Sequence, residues 1–209
     1  MEHVVGWADF CGLRIAVDVD VFVPRRRTEF LVTQATAHVR PGAVVLDLCC
    51  GSGAVGAALL STSDQVELHA VDVDPAAVRC ARHNLVNSTV YEGDLYDPLP
   101  ARLRSRVDII VANAPYVPTD AVAFMPPEAR LHEPRVALDG GGDGLDVQRR
   151  VCAEARSWLA PGGHLLIETS EQQAERTVEE FVRNGLRPRL VASTDLDATV
   201  VIGTAYWES

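Results

Sequence analysis

Residues 12–23 (GLRIAVDVDVFV) alternate apolar and polar at several positions and are rich in Val and Ile, a two-residue period that predicts a β-ribbon stopped by Pro24. The period then changes. Phe30, Leu31, Ala35 and Val39 recur at helical spacing behind Thr28, a residue suited to cap a helix, and Pro41-Gly42 ends the run. From residue 43 a unit of strand, turn and helix repeats. Strands are predicted over 43–48 (AVVLDL), 66–71, 90–92, 106–112 (RVDIIVA) and 164–168, and helices over 54–60, 75–85, 144–159 and 171–183. Pro75 suits a first helical turn, while Pro161-Gly162-Gly163 and Gly185 read as stops. Residues 117–142, rich in proline and ending in three consecutive glycines, predict a long irregular insertion. Two closing strands, 187–193 and 199–206, complete the pattern as a hairpin at the sheet edge.

Strands that alternate with helices require a mostly parallel sheet covered on both faces. The closing pair lacks a crossover helix, so the last strand is expected to run antiparallel. The expectation is an α/β, Rossmann-like fold with a seven-stranded sheet, in which residues 1–27 form a β-ribbon and linker and residues 28–209 the catalytic domain.

Composition narrows the function. At 209 residues the chain suits one large domain, and no run of about 20 apolar residues is present to span a bilayer. Met1-Glu2-His3 lacks the basic start of a signal peptide, so a cytoplasmic protein is expected. The net charge of −10 opposes a broad phosphate-binding surface, which makes nucleic acid an unfavoured direct ligand, although Arg25-Arg26-Arg27 remains a local basic patch. Cysteines 11, 49, 50, 80 and 152 show no paired metal or redox spacing, so reduced thiols are expected and no metal is called for.

Gly51-Ser52-Gly53-Ala54-Val55-Gly56 satisfies G-x-G-x-x-G between a strand and a helix, and Asp72 ends the next strand where a carboxylate can accept ribose hydroxyls. That pattern alone also fits a dinucleotide enzyme. Asp47, just before the glycine turn, would repel a pyrophosphate but suit an ammonium or sulfonium, which favours a cationic cofactor. Asp74, directly before Pro75, reads as a helix cap. Further on, the strand at 106–112 runs into Asn113-Ala114-Pro115-Tyr116, so an amide and a phenol project from the carboxyl end of the sheet beside the expected cofactor.

These segments resemble known motifs, in order along the chain. Asp47-Leu48-Cys49-Cys50-Gly51-Ser52-Gly53 resembles the first motif of class I methyltransferases, Val71-Asp72-Val73-Asp74 the second and Gly93-Asp94-Leu95 the third. Asn113-Ala114-Pro115-Tyr116 resembles the N-P-P-Y signature of enzymes that methylate planar nitrogens, with Ala114 in place of the first Pro. Phe22-Val23-Pro24-Arg25-Arg26-Arg27-Thr28-Glu29 looks like the I-P-R-x-x-T-E segment of the release-factor glutamine methyltransferases. Glu133-Pro134, Ala137-Leu138-Asp139-Gly140-Gly141, Asp143-Gly144-Leu145 and Leu166-Ile167-Glu168 follow the same family's later segments. That family usually carries a helical domain before the ribbon, so this sequence reads as a short form.

The resemblance implies a class I fold that binds S-adenosyl-L-methionine. Asp47, Cys49, Gly51 and Gly53 would lie at its methionine end, Asp72 on the ribose, Val73 against the adenine, and Asp94 with Leu95 near the adenine amino group. Asn113, Pro115 and Tyr116 would form the catalytic set, with Asn113 also at the cofactor; Asn113 and the Ala114 carbonyl would accept the two N–H bonds of the target nitrogen, and Tyr116 would stack against the substrate plane. The acceptor implied is a glutamine amide in the Gly-Gly-Gln loop of a peptide chain release factor. A small molecule or peptide of secondary metabolism is the alternative, motivated by Ala114 and the short form, and a nucleic-acid amino group is a third.

Overall fold

A computed structural model of the chain describes residues 2–63 and 65–206. A four-residue helix α1 (Glu2–Val5) leads into strands β1 (Trp7–Phe10) and β2 (Leu13–Ala16), then helix α2 (Glu29–Thr36), β3 (Val44–Leu48), α3 (Ala54–Leu60), β4 (Glu67–Asp72), α4 (Pro75–Asn84) and β5 (Thr89–Glu92). The second half runs β6 (Val107–Ala112), α5 (Pro127–His132), α6 (Asp146–Trp158), β7 (Leu159–Thr169), α7 (Ala174–Arg183), β8 (Leu186–Ser193) and β9 (Ala198–Ala205).

The main sheet has seven strands in the order β5-β4-β3-β6-β7-β9-β8. β3 to β7 pair in parallel, and β9 runs antiparallel to both β7 and β8. The closing hairpin therefore lies at the edge, as expected, but the last strand β9 is tucked inside it and β8 is outermost. Pro188, which cannot donate to a ladder, is accommodated on that edge.

Alternate residues of each strand feed two cores. On one face Val45, Ala70, Ile109, Val111 and Leu166 pack against α2, α3 and α4. On the other, Val44, Leu46, Ile110, Leu165 and Ile167 pack against Val151, Ala155 and Trp158 of α6 and Phe181 of α7. A period of two in the strands thus meets a period near 3.6 in the helices on both sides, which makes a three-layer sandwich. Each Val, Leu, Ile or Phe side chain among them, once fully buried, contributes roughly 1.5–3 kcal/mol. Among the described residues no helix is long and apolar enough to cross a membrane.

The ribbon departs from its expected limits. β1 and β2 pair antiparallel from Trp7↔Ala16 to Phe10↔Leu13, so the ribbon spans 7–16 instead of 12–23. Its two-residue turn has positive φ at both Cys11 (50°) and Gly12 (74°), the primed-turn geometry usually marked by Asn-Gly. Cys-Gly hid that signal. Residues 17–25 are not strand, yet Val17 and Val23 are buried with Ala8. Phe10 and Ile15 reach the main core, and Ala16 exchanges hydrogen bonds with Asn84 of α4, both 2.9 Å long.

Three other limits move. The long insertion is broken into short turns of 3-10 helix at Thr119–Phe124 and Arg135–Ala137 flanking α5. β7 begins at Leu159, because Pro161-Gly162-Gly163 forms a bulge within the strand, with a register shift opposite Val107 to Ile109. α6 starts at Asp146, two residues later than expected, after the Gly144 turn at φ 79°.

Candidate active site

In an open α/β sheet ligands bind where the strand order reverses, outside the carboxyl ends of the strands. Here that point lies between β3 and β6. A cavity of about 300 Å³ opens there, and of the candidate residues named from sequence all but Gly53 line it.

The turn after β3 builds one wall. Cys49, Gly51 and Gly53 all have positive φ, at 57°, 55° and 79°. Each glycine has its own reason. A Cβ on Gly51 would face open space but be strained by φ; on Gly53 it would meet Leu85 at 2.9 Å; on Gly56 it would meet Leu68 at 2.8 Å and Asp47 Oδ2 at 3.2 Å. Gly53 therefore shapes the turn by packing against α4 rather than by facing the cavity. Cys49 carries a side chain in a conformation that costs about 1 kcal/mol or more, a strain typical of functional turns.

Two carboxylates hold this turn in place. The Gly56 N–H donates to Asp47 Oδ2 at 2.9 Å, and the Gly51 N–H donates to Asp72 Oδ2 at 2.8 Å. The Asp74 N–H completes Asp72 through Oδ1 at 2.9 Å. Asp47 is only 2% exposed, and its burial pushes its carboxyl up to about 7, opposed by the Gly56 N–H and reinforced by nearby Asp72. Burial also raises Asp72, against the pull of its backbone donors. Next to them, Val73 is half exposed on the cavity wall, and Asp74 caps α4 by accepting the Ala76 N–H at 2.8 Å, as its position before Pro75 led one to expect. Asp94 is held by Arg150 of α6 at 2.6 Å, and Leu95 (φ 48°) is buried beneath it.

The opposite wall comes from the end of β6. The Asn113 amide nitrogen donates to the Thr28 hydroxyl at 3.2 Å, while its amide oxygen accepts from no described residue. Thr28 does not cap α2: it lies in the right-handed helical region without a side-chain cap bond, at the end of a 3-10 turn over Arg26–Thr28. Its hydroxyl is committed to Asn113 instead. Burial, with Glu168 nearby, pushes the Tyr116 phenol up to about 12, so it stays protonated at neutral pH. The Arg27 guanidinium lies over the Tyr116 ring at 5.6 Å.

The segment after the tetrad braces it. The Val117 N–H donates to the Leu138 carbonyl at 3.1 Å, and the Gly140 N–H donates to the Val117 carbonyl at 2.8 Å. A Cβ on Gly140 would meet the Pro115 carbonyl at 2.7 Å, and one on Gly144 would strike the Tyr116 carbonyl and the Gln173 amide. Gln173 donates to the Tyr116 carbonyl at 2.9 Å and the Asp143 carbonyl at 3.0 Å. Buried Glu133 takes the Arg25 guanidinium on both oxygens, at 2.7 and 2.6 Å, tying the linker after the ribbon to the insertion. The bracing by Gln173 and the role of Thr28 have no counterpart in the sequence reading. The signal for Thr28 lay in the Arg25-x-x-Thr28-Glu29 part of the family segment, while Thr28 by itself predicts a helix cap that the structure does not show.

A family model for the methyltransferase small domain matches residues 26–143, more than half of the chain. The release factor glutamine methyltransferase of Mycolicibacterium smegmatis is 38% identical over 200 residues, covering 94% of this chain and 70% of its own length. The chain belongs to the release factor glutamine methyltransferase family. The enzyme of that name from Geobacter sulfurreducens is likewise 38% identical, over 88% of this chain and 66% of its own length, so the chain spans about two thirds of the curated relatives it matches. Among solved structures, a methyltransferase from Pyrococcus furiosus aligns with a TM-score of 0.70 at 17% identity, covering 94% of this chain and 90% of that one. The release factor-specific protein-(glutamine-N5) methyltransferase of Alicyclobacillus acidocaldarius aligns with a TM-score of 0.54 at 24% identity, covering 88% and 94%. Both likenesses concern the fold, which is that of class I S-adenosylmethionine-dependent methyltransferases.

Proposed function

We propose that this family member transfers the methyl group of S-adenosylmethionine to the side-chain amide nitrogen of a glutamine in a peptide chain release factor. The observation that carries the reading is one cavity walled by the β3 glycine turn on one side and by Asn113-Ala114-Pro115-Tyr116 on the other. When bound, S-adenosylmethionine supplies a methyl group already activated on a sulfonium. The donor wall supports this: Asp47 and Asp72 line it and offer carboxylates to a cation, Asp72 at the end of β4 would accept ribose hydroxyls, and half-exposed Val73 would offer an apolar face to an adenine. Asp94 and Leu95 close the same wall.

On the acceptor side the chemistry is positional. An amide nitrogen is a poor nucleophile because its lone pair is delocalised, so rate must come from alignment. Asn113 and Ala114 both line the cavity, and the Asn113 amide oxygen, which accepts from no described residue, and the Ala114 carbonyl would be two acceptors for the two N–H bonds of a primary amide. Tyr116, protonated and half buried, lies against the plane such an amide would occupy. As the C–N bond forms, the C–S bond of the sulfonium would break with its electron pair left on a neutral thioether, and the proton lost from the target nitrogen would go to solvent.

Incubation with labelled S-adenosylmethionine tests the reading, with a purified release factor in one arm and an extract of small metabolites and peptides in the other. Label in the release factor is expected. Label confined to the extract would overturn the acceptor and retain the donor site.

A further inference from the structure

The loop after β5 has a fixed backbone. The Gly93 N–H donates to the Asp72 carbonyl at 2.9 Å, the Asp97 N–H donates to the Asp94 carbonyl at 3.0 Å, and Leu95 is buried. A Cβ on Gly93 would meet Pro98 at 2.9 Å, so the turn admits no bulk. The Asp94 side chain is different. It is about half exposed, Arg150 Nη2 donates to its Oδ2 at 2.6 Å, and no described residue donates to its Oδ1.

Arg150 comes from a separate element. Val147 and Arg150 stand three apart on α6, hence on one face of it, and both line the cavity, while Val151, Ala155 and Trp158 turn into the core. Among the described residues that line the cavity, the cations are Arg25, Arg27 and Arg150. Arg25 and Arg27 pair with Glu133 and Glu168 on the acceptor side, which leaves Arg150 as the cation of a donor wall that carries Asp47, Asp72, Asp74 and Asp94. An ion pair this exposed adds little to stability, because water screens both charges. Its effect falls on the carboxylate instead: tied at Oδ2, Asp94 no longer swings freely into solvent, and Oδ1 is left to accept from a ligand.

We infer that Arg150 determines donor specificity as a positioning residue, holding Asp94 so that its free oxygen accepts the exocyclic amino group of the adenine. An amino group donates to a carboxylate, whereas the oxygen that replaces it in hypoxanthine can only accept and is repelled. A carboxylate free to swing avoids that oxygen; one tied to Arg150 does not. This inference rests on the S-adenosylmethionine reading of the donor wall.

Calorimetric binding of S-adenosylhomocysteine and of its hypoxanthine counterpart, S-inosylhomocysteine, tests it on wild type, Arg150→Met, Arg150→Lys, Asp94→Asn and the Arg150→Met/Asp94→Asn pair. Neither probe carries a sulfonium, so the change of charge at position 150 does not act through one. Arg150→Met should melt within about two degrees of wild type, as an exposed pair implies. It should bind S-adenosylhomocysteine about five- to tenfold more weakly, and the preference for adenine over hypoxanthine, about tenfold or more in wild type, should fall to about threefold or less. Asp94→Asn, whose amide can turn to serve either base, should lose the same preference, and the pair should lose no more than Asp94→Asn alone. Arg150→Lys should keep most of it. Unchanged affinity and preference in Arg150→Met, an equal weakening of both probes, or losses that multiply in the pair would overturn the inference and leave the donor site standing. Wild-type protein that binds neither probe would overturn the donor reading together with it.

Discussion

At the scale of single residues, three acids and a side-chain amide, Asp47, Asp72, Glu168 and Asn113, stand at the carboxyl ends of β3, β4, β7 and β6. On the proposed reading Asn113 and Asp47 serve different steps, and their variants should separate them. Asn113→Ala removes an acceptor that matters only when the target amide is in line, so kcat should fall by about 10²-fold or more while donor affinity changes by less than threefold. Calorimetry and single-turnover rates on one preparation check this. Asp47, held near neutrality with its carboxyl at about 7, should make donor binding pH-dependent: a cation favours the ionised form, so affinity rises between pH 6 and 8. In Asp47→Asn, whose side-chain oxygen still accepts the Gly56 N–H, binding should be weaker and flat over that range.

At the scale of elements, the glycine-rich end of the insertion is a brace for the tetrad. Gly144 stands at φ 79°, and an added Cβ would run into the Tyr116 carbonyl and Gln173. Gly144→Ala should therefore displace Tyr116, lowering the melting temperature by several degrees, as expected for a loss of about 2 kcal/mol in a chain this long, and lowering acceptor turnover with little change in donor affinity. Melts and the two kinetic constants check it. The same segment shows where sequence was legible. The alternation of strands and helices and the β3 turn followed from periodicity, because buried faces impose their period on sequence. The primed turn at Cys11-Gly12 and the bulge at Pro161-Gly162-Gly163 did not, since each uses residues that usually mean something else. The candidate residues other than Gly53 are gathered at one cavity, but what holds the tetrad there, Thr28 and Gln173, are long-range partners that no local pattern reveals.

At the scale of the molecule, two buried titrations oppose each other. His164, midway along β7 with its ring centroid 3.9 Å from that of His38, is lowered to about 4 by burial and by the neighbours His38, Arg40 and Arg189. Its unfolded value is 6.5, so the unfolded chain binds more protons between pH 6.5 and 4, and stability from this group is lost as pH falls through that window. Asp47 has the opposite sign: its folded value lies above 3.8, so stability is lost as pH rises from about 4 to about 7. The melting temperature of His164→Asn relative to wild type should accordingly rise as pH falls from 7 to 4, whereas that of Asp47→Asn should rise as pH climbs over the same range. Scanning calorimetry at unit pH steps, at fixed salt, distinguishes the two.

The whole arrangement, a donor wall and an amide-accepting wall meeting at the β3/β6 switch point, stands or falls on which atom receives the methyl. Tandem mass spectrometry of a release factor after incubation with the protein and S-adenosylmethionine reads that atom directly. The account predicts one added methyl on a glutamine side-chain amide, absent when Asn113→Ala replaces the wild type. A methyl on an oxygen, a sulfur or an amine, or one that Asn113→Ala still installs at the wild-type rate, would contradict it.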